Sequence, residues 1–76
     1  MTGHGIGWAV KQMQNRKYVQ RAGWNGKNMF LYLRTFDHYD PCIVMHTAQG
    51  TDQPGWLCSQ ADLLAIDWQL FTGDPA

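Results

Sequence analysis

Apolar positions in the first fifteen residues recur at helical spacing. Ile6, Ala9, Val10 and Met13 form one stripe while Lys11, Gln12 and Asn15 point elsewhere, which predicts a short amphipathic helix from Gly5 to about Gln14. Gly5 and Gly7 weaken its first turn by roughly 1 kcal/mol each relative to Ala, so the helix needs tertiary packing to persist. Trp8 falls off the stripe and is a candidate subunit contact. From Lys17 the pattern turns to alternation. Lys17 to Ala22 reads as a strand with Val19 and Arg21 on one face and Tyr18, Gln20 and Ala22 on the other. Asn25-Gly26 then supplies a hairpin signal, because both central residues of a type I′ turn need positive φ. The returning strand is Met29 to Arg34, with Met29, Leu31 and Leu33 on one face, Phe30, Tyr32 and Arg34 on the other, and both faces able to be buried.

The polar run Thr35 to Pro41 reads as a loop. Cys42 to Thr47 is strand-forming, Gln49 to Asp52 makes a turn, and Gly55 to Cys58 is short enough only for a strand. Ser59-Gln60-Ala61-Asp62 has the S-x-x-D form of a helix N-cap, with one or two turns running to about Ala65. Asp67 to Phe71 closes the pattern as a last strand, with Trp68 and Leu70 inward on one reading. The predicted fold is α+β: an N-terminal helix packed on a small antiparallel sheet of about five strands, with a short helix before the last strand, in a single domain over residues 1–76. One helix covers one face of such a sheet. Apolar residues on the second face, Phe30 and Tyr32 above all, call for a partner, and a copy of the same chain is the default.

Size strengthens that expectation. A chain of 76 residues sits near the limit at which one core offsets chain entropy, and Cys42 and Cys58 supply at most one bridge and lack CxxC spacing. Both cysteines fall in apolar strand contexts, where Cys behaves as a small hydrophobe. With neither a leader pattern nor a long apolar run, the expected place is the cytoplasm, with reduced thiols and no membrane partner. Six basic and six acidic side chains balance, which argues against capture of a DNA or RNA polymer, since that depends on many cations neutralising phosphates. His4, His38 and His46 match no metal-ligand spacing, so neither metal nor cofactor is expected. The aromatic content changes the picture: four Trp, three Tyr and three Phe exceed what so small a core can hide, so some should line an interface or a ligand.

Two segments gather the chemistry. Around Trp24-Asn25-Gly26, with Met29 and Phe30 following, the plain reading is a structural turn and a packed indole. The functional reading is a nucleotide site, because an indole for stacking, an amide that both donates and accepts, and free backbone N–H groups lie close together. Around Trp56-Leu57-Cys58-Ser59-Gln60 the plain reading is a strand entering a capped helix; the functional one is phosphate or sugar recognition at the helix start. Asp62, whose carboxylate would repel phosphate, is either the cap partner or an acceptor for a ribose hydroxyl. No catalytic constellation stands out, so the protein is expected to bind rather than catalyse. A hydrolase built on Asp62, Asp67 or His46 and a protein-interaction module that inhibits a host factor are the alternatives.

Three strings, R-A-G-W-N-G-K-N-M-F-L-Y-L (Arg21 to Leu33), I-V-M-H-T-A-Q-G (Ile43 to Gly50) and W-L-C-S-Q-A-D-L-L-A-I-D-W (Trp56 to Trp68), resemble the phage and bacterial family described as Thoeris anti-defense proteins of the second type. The resemblance runs from about Ile6 to Phe71. It implies a homotetrameric sponge that binds glycocyclic ADP-ribose isomers, and in some members CBASS cyclic oligonucleotides, without cleaving them. Carried over by position, it makes Trp24, Asn25, Gly26, Met29, Phe30, Trp56, Ser59, Gln60, Asp62 and Asp67 pocket candidates. Within the strings, Arg21 and Lys27 are the cations offered to a phosphate, and Thr35 to Pro41 matches nothing in the family pattern.

Overall fold

A computed structural model describes residues 3–24 and 28–71. Helix α1 spans Ile6–Gln14 and turns Ala9 and Met13 fully inward, as the stripe requires. It ends in a Schellman arrangement: Lys17 N–H donates to the Gln12 carbonyl and Arg16 N–H to that of Met13, with Arg16 left-handed at φ 66°. A non-glycine residue at this position carries strain, so Arg16→Gly is expected to raise the melting temperature by a few degrees, read by thermal circular dichroism. Trp8 packs against the core cluster and stacks on His4 at 3.9 Å, rather than standing clear of the apolar stripe.

Five strands follow: β1 (Val19–Arg21), β2 (Phe30–Phe36), β3 (Tyr39–His46), β4 (Asp52–Pro54) and β5 (Trp68–Leu70), with helix α2 (Gln60–Leu64) before the last. They form one antiparallel sheet in the order β4-β3-β2-β1-β5, so the expected α+β architecture is the observed one. Val19 lies opposite Leu31 and Leu70, Arg21 opposite Trp68, and Leu31 opposite Met45. Ala9, Met13, Val19, Leu31 and Trp68 make the core between α1 and the sheet, with Leu33, Ile43, Met45 and Trp56 packed around it.

Several local expectations are corrected. Thr35 to Pro41 is the tip of a hairpin and not a loop: Phe36 pairs with Tyr39 across an Asp37-His38 turn in which His38 adopts φ 68°. Pro41 is tolerated within β3 because it sits at a register irregularity and beyond the reach of β4, which pairs only with Val44 to His46. The strand expected over Gly55 to Cys58 lies earlier, at Asp52–Pro54; Gly55, at φ 76°, bends the chain away, and the N–H groups of Gly55 and Trp56 both reach the Ile43 carbonyl. Cys58 is accordingly exposed and outside any strand. Leu70, expected inward, is 41% exposed. The turn at Asn25 and Gly26 lies outside the described residues, but β1 ends at Arg21 and β2 begins at Phe30, a longer connection than a two-residue hairpin. The cause is that Ala22 and Gly23 donate their N–H groups to Asp67, which draws the chain off the β2 ladder.

The second sheet face carries the aromatic residues expected there. Phe30 is buried by Tyr18, His46 and Phe71 at ring distances of 4.9, 4.6 and 4.5 Å, so this chain's own rings cover it. Tyr32 stays half-buried beside it and donates its hydroxyl to Asp52.

Candidate ligand site

The chemistry of the Trp-rich segments meets at Arg21. It closes β1 on the core-facing side, opposite Trp68, and its guanidinium reaches two carboxylates from distant parts of the chain. Arg21 Nε donates to Asp67 Oδ1 at 2.8 Å and Nη1 to Asp62 Oδ1 at 2.8 Å. Asp67 Oδ2 also accepts from Gly23 N–H at 2.9 Å, and Asp62 Oδ1 from the Trp24 indole at 3.3 Å. Ser59 Oγ accepts from Asp62 N–H at 3.1 Å, the N-cap that the S-x-x-D pattern predicts. Trp68 anchors the set: its indole donates to the Asp62 carbonyl at 3.1 Å, and Trp24 and Trp56 stand edge-on to it at 5.4 and 6.2 Å.

Both carboxyls are held below the ordinary carboxylate range. For Asp67 the Arg21 hydrogen bond dominates over a smaller opposing effect of burial. For Asp62 burial pushes upward but is overridden by hydrogen bonds from Arg21, Trp24 and the capped helix turn. The same contacts, Asp67 before Asp62, raise the Arg21 pKa. Groups with depressed folded pKa values contribute stability that is complete above their unfolded value of about 3.9 and lost as pH falls through the lower folded values. Urea midpoints should therefore be unaffected by these two groups above about pH 5 and drop below about pH 4.

Of the ten residues proposed from sequence, the structure gathers Trp24, Trp56, Ser59, Asp62 and Asp67 around Trp68 and α2. Asn25 and Gly26 lie outside the described residues. Phe30 is on the opposite sheet face, 3% exposed, and Met29 is half-buried just before it. Gln60 is exposed in the first turn of α2. That helix is only five residues long and the Ser59 hydroxyl is spent on its cap, so Ser59 is a structural group here and the turn makes a poor phosphate cradle.

Arg21, offered to a phosphate, is instead paired with two carboxylates. Sequence reasoning missed it as the hub of the site, and missed Trp68 as its floor. The available signal was the placement of Arg21 on the same strand face as Val19, where a cation must find a partner. A cleft of about 330 Å³ opens beside Trp56, lined by Met45, Gln53, Pro54, Gly55, Trp56 and Leu57. A smaller one, about 160 Å³, lies where the chain entering β1 parts from β2; Arg16 and Lys17 meet Tyr18 and Tyr32 there. A separate cluster links His46 Nδ1 to Asp52 Oδ1 at 2.7 Å and the Tyr32 hydroxyl to Asp52 Oδ2 at 3.1 Å. His46 holds the Asp52 carboxyl below its ordinary range, against a smaller effect of burial; burial, then the Asp52 hydrogen bond, pushes the Tyr32 hydroxyl up. Among the described residues, no three His, Cys, Asp or Glu side chains gather as metal ligands, and no helix is long and apolar enough to cross a membrane.

A small α+β domain whose tryptophans ring a half-buried Arg-carboxylate hub is the form this chain gives to a known family: residues 4–71 match the Thoeris anti-defense 2-like domain, and the chain belongs to that family. A relative in Bacillus phage SP01, Thoeris anti-defense 2, is 32% identical over 82 residues, an overlap covering 86% of this chain and 91% of that protein. Membership supports a role in phage anti-defense.

Proposed function

We propose that the protein is a sponge: it binds cyclic nucleotide immune signals, glycocyclic ADP-ribose isomers of the Thoeris type first and CBASS cyclic oligonucleotides as a second class, and sequesters them uncleaved. It would act as a homo-oligomer, a tetramer by the family resemblance, in the cytoplasm of the infected host. The observation that carries this reading is the pair of half-buried indoles, Trp24 and Trp56, held edge-on to Trp68 and so fixed in orientation, with Trp56 facing an open cleft. Rigid aromatic faces bind bases at about 1–3 kcal/mol each, without selecting a sequence. A Kd near 1 nM, about −12 kcal/mol, is within reach of a base stacked on these indoles, backbone contacts to phosphate and burial between subunits.

The Arg21 hub also supports binding over cleavage. A carboxylate already hydrogen-bonded to a guanidinium has a depressed pKa and is a weak general base, which lowers the case for Asp62 or Asp67 in hydrolysis. The His46–Asp52 pair favours the hydrolase alternative, because a carboxylate that orients an imidazole is a known general-base arrangement. One experiment separates them. The protein is incubated with a glycocyclic ADP-ribose isomer, freed of unbound ligand by filtration, heat-denatured, and the released material analysed. Intact ligand is expected; linear product, or no retained ligand, overturns the reading. Trp24→Ala and Trp56→Ala are each expected to weaken retention roughly ten- to a hundred-fold while leaving the fold in place.

A further inference from the structure

The walls of the Trp56 cleft restrict what can enter it. Cross-strand register sets Gln53 opposite Met45 and Met45 opposite Leu31, so all three belong to the core-facing side of the sheet. Asp52 and His46, bonded to each other, lie on the other face, where His46 stacks on Phe30. Among the described residues no charged side chain borders the cleft. The bend after β4 offers a phosphate no backbone donor either: Pro54 has no N–H, and those of Gly55 and Trp56 are both taken by the Ile43 carbonyl. What remains is an indole, an apolar wall of Met45, Pro54 and Leu57, and one side-chain amide. That amide, on exposed Gln53, makes no hydrogen bond among the described residues.

We infer that this cleft takes the base of the bound nucleotide, stacked on Trp56, and that Gln53 is the residue that makes it prefer adenine to guanine; the inference rests on the sponge reading. A flat, uncharged ring is the part of a nucleotide that an indole and an apolar wall accept, whereas its phosphates need donors that this cleft lacks. At about 330 Å³ the cleft lies near the lower bound of small-molecule pockets, roughly 300 Å³, which fits it to one moiety of a cyclic nucleotide. The amide decides which ring. It presents one donor beside one acceptor. Adenine answers that pattern on two edges, through its N6 amine with N7 or with N1. Guanine answers it on one, through O6 with N1–H, because its O6 and N7 are both acceptors. An amide with no partner in the protein is available for these bonds, and all of β4 is exposed, so replacing Gln53 removes them without opening the core.

The test compares the whole protein with Gln53→Ala and Gln53→Glu, each checked for fold by circular dichroism. Affinities are measured for a glycocyclic ADP-ribose isomer and for the same isomer carrying guanine in place of adenine. The parent is expected to bind the adenine ligand roughly five- to tenfold more tightly, the size of one or two exposed hydrogen bonds. Gln53→Ala should erase that preference, chiefly by weakening the adenine ligand. Gln53→Glu should invert it, because two acceptors match the N1–H and N2–H donors of guanine and neither edge of adenine. Repulsion between the new carboxylate and the phosphates bears on both ligands alike and drops out of the ratio. A parent that binds both ligands without preference, or variants that leave its preference unmoved, overturns the role of Gln53 and leaves the sponge reading standing. A folded parent that binds neither ligand overturns the sponge reading and this assignment together.

Discussion

Trp68→Ala is expected to lower the melting temperature by roughly 20 °C, or to leave the chain largely unfolded at room temperature. Trp68 has no exposed surface and touches every part of the fold that matters: the α1 core, the edges of Trp24 and Trp56, and the Asp62 carbonyl. Removing a buried indole costs about 3–5 kcal/mol, against a total of about 4–11 kcal/mol for a chain this long. At roughly 4–8 °C per kcal/mol for a domain of this size, the shift is large on any thermal scan. Trp68→Phe separates packing from hydrogen bonding. It keeps an aromatic ring but removes the indole donor to the Asp62 carbonyl, which retains the Ala65 N–H at 3.4 Å, at a cost of about 1 kcal/mol. A Trp68→Ala protein that melts within a few degrees of the parent would show that the core is centred elsewhere.

The second large effect is expected at Arg21. Its removal leaves two carboxylates close together, with side chains only 15 and 32% exposed and no cation between them. Breaking a fully buried pair costs about 3–5 kcal/mol; allowing for the partial solvent access here, Arg21→Ala should cost about 2 kcal/mol, read as a lower urea midpoint. Arg21→Lys keeps the charge without the fork that reaches both partners, and should fall between. The difference between parent and Arg21→Ala carries its own pH signature. It is complete above about pH 5 and closes as pH falls through the depressed folded values of Asp62 and Asp67, since a protonated carboxyl no longer attracts the guanidinium. A gap that stays constant down to low pH would mean that packing of the Arg21 stem, and not its charge, is what was lost.

What the sequence disclosed was local. The stripe of α1, the Ser59 cap and the alternation of β2 are encoded within a few residues of one another, where helix and strand periods leave a direct trace. The hairpin tip at Asp37-His38 was hidden because its turn residues and Pro41 have the composition of a loop, while the cross-strand pair Phe36 and Tyr39 that proves the ladder is invisible until both strands are in place. The Arg21 hub was hidden for a stronger reason. Its partners lie 41 and 46 positions away, and no periodicity links residues at that separation. Trp24, Trp56, Asp62 and Asp67 were legible as chemically rich positions, but all four lie outside the strands, and their gathering around Trp68 comes from long-range contacts that no local pattern reports.

The sheet edges have a consequence for abundance. β4 is three exposed residues long and ends in Pro54, which has no N–H to offer, and on β5 the outer N–H and C=O of Trp68 are engaged by the backbone of His4. Neither margin presents the long unpaired ladder that templates fibres. If the chain acts as the proposed sponge, it must accumulate to high concentration, and it can do so without its strands stitching neighbours into an insoluble mass.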